Sequence, residues 1–339
     1  MYKRISRMQL KNRTASLLSK VGFNINEINA TIRSWEYASL SEKYSHGFDR
    51  ITWLMEMVNQ HKVIPNRLLK ISTKGLFTHI DGNKSLGYLA AENAVGHAID
   101  AADHFGVGIA TISGCYPTGC MGQYVETIAK SGQIGIAISH SSPRVAAYGT
   151  VDKIFGTMGH SFGFPSQEIP YIYDSSVGAI TNGDIMLHHS TNTPLPKDSV
   201  FTKKGDSTIN PSEVLDEQGI FNGIIAIAGG QQAHKMSGFA GSLELLTRLA
   251  IIGAKKKSDA YSFFMVLNPS SFGDPKIYKS MVTQLEKNII KARKLKDINK
   301  IYFSGQKSYL LRQKNSTKKT LVISNRTYQF LFSNNENAI

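Results

Sequence analysis

The chain has 339 residues, 41% hydrophobic and 19% charged, which is enough for a large core divided over more than one domain. No apolar run approaches the roughly 20 residues that span a bilayer, and Lys3, Arg4, Arg7, Lys11 and Arg13 interrupt any signal-like stretch, so a cytoplasmic protein without a membrane partner is expected. The formal charge of +14 raises nucleic acid as a partner, but 17 Lys/Arg against 5 Asp/Glu fall from Ile251 onward without interleaved aromatics, so a solvated basic face is expected instead.

In chain order, the first 75 residues read as helices. Asn24-Ile25-Asn26-Glu27 resembles a capping box, followed at helical spacing by Ile28, Ile32 and Trp35. Ile51, Leu54, Met55 and Val58 form a second stripe. From Gly75 the texture becomes Gly- and Ala-rich: Leu86 to Phe105 predicts a closely packed helix through Ala90, Ala91, Ala94, Ala98 and Ala101. Val107–Ile112 then predicts a strand, Gln123–Lys130 a helix and Ile134–Ser139 a strand. Residues 181–210 read as loop, Ile220–Ile227 as a buried strand, Gly238–Ile252 as helix and Ala260–Leu267 as strand. Ile277–Leu295 predicts a basic amphipathic helix with Ile277, Met281, Leu285 and Ile289 on one side, and residues 334–339 a frayed tail. Helices alternating with strands predict a mixed α/β fold, a sheet core with helical flanking regions.

The densest chemistry lies at Ser45-His46-Gly47-Phe48-Asp49-Arg50, where one helix should end and another begin. On a helix His46 and Arg50 would share a face. A fixed guanidinium fork suits a carboxylate, and an imidazole titrating near neutrality can trade a proton with the neighbouring oxygen of a 2-oxo acid. The alternative is a surface pair opening a helix.

Cys115 and Cys120 are the only cysteines, too few to staple the fold, and no zinc-ligand spacing accompanies them, so no metal is expected. Neither a Gly-x-Gly-x-x-Gly turn nor a Walker loop is present. A Rossmann domain is therefore not expected, and a nicotinamide cofactor would need another Gly-rich architecture whose backbone amides and cations meet its phosphates.

Several segments, in order and over roughly Met8 to Tyr309, together resemble the malate/L-lactate dehydrogenase family of the non-Rossmann type, which includes ureidoglycolate and sulfolactate dehydrogenases and the diketogulonate and piperideine-2-carboxylate reductases. They are Ser45-His46-Gly47 with Arg50, Asp81-Gly82 with Leu86-Gly87, Ser141-Ser142-Pro143 to Gly149, Gly156-Thr157, Pro194-Leu195-Pro196, His234-Lys235 with Gly238, and Phe272-Gly273-Asp274. The resemblance implies a homodimer that uses NAD or NADP on a small carboxylate substrate, and a division into a helical region 1–75 carrying the His/Arg element, a cofactor- and substrate-binding α/β core 76–250, and a basic region 251–339 packing back on the N-terminal part. His46 would donate the proton, Arg50 would grip the carboxylate and Ser45 would hold the imidazole or the substrate. His140, Ser141, Asp174, Ser175, Ser176, Lys235, Ser304, Gly305 and Gln306 would contact the cofactor, and Tyr116 and Pro117 the substrate.

The departures from the family pattern fall at functional places. Pro117 stands where some members carry a proton-accepting histidine, which leaves that role vacant or passes it to His46, Tyr116 or Cys115. Met236 replaces a glycine near the expected cofactor. Two readings follow: a reductase of a 2-oxo acid or cyclic imine carboxylate with a diverged substrate, or a family member that has lost redox chemistry and keeps the fold for binding or another reaction.

Overall fold

A computed structural model describes residues 2–190, 192–217, 220–252 and 260–333. Strand β1 (Tyr2–Ser6) runs into α1 (Arg7–Lys20), where the Gln9 N–H donates to the Ser6 side chain. Helix α2 (Ile25–Leu40) opens with the expected capping box: Asn24 accepts from the Asn26 and Glu27 N–H groups, and Glu27 accepts from that of Asn24. Two short 3-10 turns, Tyr44–His46 and Phe48–Arg50, lead into α3 (Ile51–Asn59). The hairpin β2 (Lys70–Lys74) and β3 (Phe77–Asp81) precedes α4 (Gly87–Phe105), β4 (Val107–Ser113), α5 (Met121–Lys130) and β5 (Ile134–Ser139). Next come β6 (Val145–Ala146), β7 (Lys153–Phe155), β8 (Gly159–Phe164), β9 (Tyr171–Ser175), α6 (Asn182–Ser190), β10 (Val200–Phe201) and β11 (Ile224–Ile225). They are followed by α7 (Ala233–Thr247), α8 (Leu249–Ile252), β12 (Tyr261–Leu267), α9 (Pro275–Lys291), α10 (Gln306–Ser316), β13 (Thr320–Ser324) and α11 (Asn325–Phe332).

These elements form two compact units, each drawn from separate stretches. The first takes the chain up to Ala137, Ser161–Asp174 and everything from Phe264 on; the second takes Ile138–His160 and Ser175–Phe263.

The first unit is built on a sheet of order β2-β3-β4-β12-β5-β8-β9, antiparallel at β2/β3 and parallel at β3/β4. The expected mixed α/β class is therefore correct. The alanines of α4 explain how it lies on this sheet: a Cβ on Gly108 of β4 would stand 2.0 Å from the Ala98 carbonyl oxygen. At that separation only small residues fit. Ala90, Ala91, Ala94 and Ala98 are buried as expected, but Ala102 and not Ala101 completes the face.

A second core joins α1, α2 and α3 around Trp35, whose indole N–H donates to the Tyr88 hydroxyl at 2.8 Å and whose ring meets the Phe48 ring edge-on. Leu321 and Ile323 of β13 and Leu331 of α11 belong to this core. Strand β13 pairs antiparallel with β1 from Tyr2↔Ser324 to Ser6↔Thr320. The sequence reading contained neither strand nor α11, and it took Lys70–Lys74 for part of a helical region.

Helix α9 exists, but its apolar stripe does not face the core. Ile277, Met281 and Leu285 are 63%, 65% and 52% exposed, while Thr283 and Glu286 turn inward. Burial, and after it Glu168, pushes the Glu286 carboxyl up to about 7.

The second unit carries a sheet of order β10-β11-β6-β7, with strands of two or three residues. Only Ile224–Ile225 of the expected strand 220–227 pairs in this sheet, and Ile220 is 63% exposed. The stretch 181–210 is not all loop, since it holds α6 and β10. Residues 253–259 of the basic segment and the expected tail 334–339 lie outside the described residues.

Candidate active site

In the first unit, His46 and Arg50 close successive 3-10 turns and do not lie on one helix. Gly47 between them is extended, with φ −92° and ψ −151°, and a Cβ there would sit 2.2 Å from Ser39 Oγ. That oxygen accepts from the Phe48 N–H, which fixes the second turn against α2. The shared helical face expected for the pair is therefore replaced by a sharper bend. It leaves both side chains half-buried.

Ser45 Oγ lies 3.1 Å from His46 Nδ1. A hydroxyl can donate to a neutral ring or accept from a charged one, so one serine holds the imidazole in either state and leaves Nε2 as the proton-bearing atom. The Arg50 guanidinium lies 3.9 Å over the Trp53 ring, and Trp53 meets the Tyr116 ring at 5.2 Å and 73°. No Asp or Glu pairs with Arg50 among the described residues. Tyr116 precedes Pro117 through a cis peptide bond, and the Pro117 carbonyl oxygen would stand 2.4 Å from a Cβ on Gly87, at the first residue of α4. Arg50 and Tyr116, both expected on the substrate side, are thus brought together by Trp53, which the sequence did not single out. Its only signal was an aromatic three positions after Arg50.

Asp174 anchors the neighbouring network. Its carboxylate meets Lys43 Nζ at 2.6 Å, accepts from Ser161 Oγ at 2.5 Å, and accepts from the Gly122 N–H at 3.2 Å near the start of α5. A Cβ on Gly122 would come within 2.9 Å of that carboxylate, so glycine permits the approach. Burial pushes the Asp174 carboxyl up, but Lys43, the Ser161 hydroxyl and the charge of His46 outweigh it and hold it below its ordinary value. Lys43 is raised in return by Asp174, against the opposing effect of its own burial. Beside this network, Arg312 pairs with Glu126 and stacks on Tyr37, whose hydroxyl donates to Glu126 at 2.9 Å. A pocket of about 90 Å³ is lined here by Lys43, Asp174, Ser304, Gly305, Ser308 and Arg312.

Ser304 and Gly305 reach this pocket but are also bound to the fold. Ser304 Oγ donates to the Ile172 carbonyl at 2.9 Å, and Gly305 caps α10 at φ +84°, in the left-handed region that favours glycine. Gln306 opens that helix. Cys115 and Cys120 are buried, and burial first of all pushes each thiol up to about 12, so Cys115 is no proton carrier near neutrality.

In the second unit, His140 is buried with Nε2 3.2 Å from a Glu244 oxygen and its ring stacked on Tyr261 at 4.3 Å. Burial raises the Glu244 carboxyl, but His140 and Arg248 bring it below its ordinary value. Ser141 Oγ accepts from the Thr157 N–H at 3.1 Å, and the Ser141 carbonyl oxygen would stand 2.2 Å from a Cβ on Gly156. The two segments of the resemblance are therefore joined in space. Ser175 and Ser176 are half-buried, and Lys235 is exposed in the first turn of α7, just after Gly229 and Gly230 with φ +109° and +53°. Among the described residues, no cluster of His, Cys, Asp and Glu could hold a metal ion, and no helix is long and apolar enough to cross a membrane.

The same fold is found among solved structures. The crystal structure of malate dehydrogenase from Entamoeba histolytica superposes with a TM-score of 0.89 at 21% identity, covering 98% of this chain and 96% of that one. In sequence, malate dehydrogenase of Pyrococcus abyssi is 24% identical over 321 residues, 91% of this chain and 88% of its own. Delta(1)-pyrroline-2-carboxylate reductase 2 of Burkholderia multivorans is 28% identical over 226 residues, 66% of this chain and 63% of its own. The chain belongs to the malate/L-lactate dehydrogenase family, whose pattern it matches over residues 5–331. The resemblance in the sequence was therefore correct, and the protein is a member of a family of oxidoreductases.

Proposed function

We propose that the protein is a cytoplasmic, homodimeric, NAD(P)H-dependent reductase of a 2-oxo acid or cyclic imine carboxylate. The observation that carries this reading is the bend 44–50, where an imidazole held by a neighbouring hydroxyl adjoins a guanidinium that no carboxylate among the described residues neutralises. His46 Nε2 delivers a proton to the substrate oxygen or imine nitrogen, Ser45 keeps the ring oriented before and after, and the Arg50 fork receives the carboxylate. When bound, nicotinamide supplies the hydride. The residues fit such a cofactor: the amides opening α7 follow two glycines in open backbone conformations, nothing lies within 4 Å of a Cβ on Gly230, and Lys235 is exposed beside them. A helix N-terminus and a lysine suit a pyrophosphate. His140, Ser141, Ser175 and Ser176 are the further cofactor positions of that unit. The exposed stripe of α9 supports the dimer.

Fluorescence titration with NADH and NADPH tests the reading. Binding of one below millimolar concentration is expected, with turnover of 2-oxo acids or pyrroline carboxylate that falls at least 100-fold in His46→Ala. Absence of binding by either would favour a chain that has lost redox chemistry.

A further inference from the structure

Resting on the reading of Arg50 as the carboxylate clamp, we propose that the site selects substrates with one carboxylate and an uncharged remainder, and that Trp53 enforces this choice. Three cations lie in one neighbourhood, since Lys43, Arg50 and Arg312 all act electrostatically on the buried Cys120 thiol. Two are already neutralised: Lys43 holds Asp174 at 2.6 Å and Arg312 holds Glu126. Recruiting either one for a substrate would leave a largely buried carboxylate without its partner, a costly exchange. Of these three, Arg50 alone has no acidic partner among the described residues, so it is the one permanent cation they leave for a substrate carboxylate here.

The surroundings of that charge are aromatic. The guanidinium lies on the indole of Trp53 at 3.9 Å, an arrangement that occupies its face and leaves its in-plane N–H groups for a two-pronged grip on one carboxylate. Tyr116 abuts the indole, and the buried Pro117 follows it. These groups can cover an apolar chain or ring, but they offer a second anion no cation. Such an anion would be desolvated without compensation. Trp53 therefore fixes the plane of the fork and keeps the adjoining wall uncharged.

The test compares initial rates on matched substrates with the preferred nicotinamide: 2-oxobutyrate against oxaloacetate, 2-oxovalerate against 2-oxoglutarate, and Δ1-pyrroline-2-carboxylate as the cyclic case. The monocarboxylate of each pair should be favoured at least tenfold in kcat/KM. Trp53→Phe should keep that preference, and Trp53→Arg should narrow it about tenfold by lowering KM for the dicarboxylates. Equal or better use of the dicarboxylates, with activity still dependent on His46, would overturn the inference and leave the reductase reading standing. Cofactor binding without turnover of any of the five would overturn the inference as well. Failure to bind either nicotinamide would remove the reductase reading and the inference together.

Discussion

Asp174 receives an ammonium, a hydroxyl and a backbone N–H, so its negative charge is worth more folded than unfolded. Its carboxyl is held below the ordinary value, and the stabilisation is therefore present above the unfolded value, near pH 4, and lost as pH falls through the folded one. Asp174→Asn should cost about 2 kcal/mol at pH 7, below the usual loss for a fully buried pair because Lys43 is partly solvated. Urea unfolding from pH 7 down to about pH 2 should show the acid loss in the native protein and a flatter limb in the variant. At this scale the sequence was informative where chemistry is local. Ser45, His46 and Arg50 stood out because their neighbours are near in the chain. Lys43 did not, because its partner is 131 positions away and a lysine two residues before a serine carries no signal of its own. The departure at Pro117 was visible, but not that Tyr116 would close on Trp53.

Among the elements, α4 and β4 were legible because a long run of alanines at helical spacing followed by alternating apolar residues has few other solutions. Their contact sets a sharp size limit at Gly108. Gly108→Ala should destabilise by about 1–3 kcal/mol, as overpacking of a core does, without changing nicotinamide affinity. Thermal unfolding and a cofactor titration on the same variant check both halves of that expectation. Helix α9 shows the limit of periodicity: a stripe of Ile277, Met281 and Leu285 reports one face of a helix, not which side that face turns to. Strand β13 was hidden for a different reason. Its apolar run Leu321-Val322-Ile323 is only three residues long between Lys318-Lys319 and Asn325-Arg326, and the edge it pairs with, β1, lies at the far end of the sequence.

The whole molecule places much of its excess positive charge in the segment after Ile251, and α9 with the exposed stretch behind it carries Lys276, Lys287, Lys291, Arg293, Lys294 and Lys296. The compact units, in contrast, do not follow the sequence: the second is drawn from stretches lying between parts of the first. Composition and motif order could not reveal this, because the long-range pairs that define a unit leave no local pattern. The pairing of β1 with β13 also has a consequence for biosynthesis. A ribosome delivers every residue of the second unit before it delivers Phe264, while β1 and the helices after it wait for a strand that has not been made. Arrested chains released from the exit tunnel only as far as Leu267 should therefore resist protease in the described elements of the second unit, β6, β7, β10, β11 and α7, and be cut across α1 to α3, as limited proteolysis of stalled complexes would show. For the earliest-made helices, the delay exposes apolar faces for most of translation, which makes them the segment most dependent on chaperones.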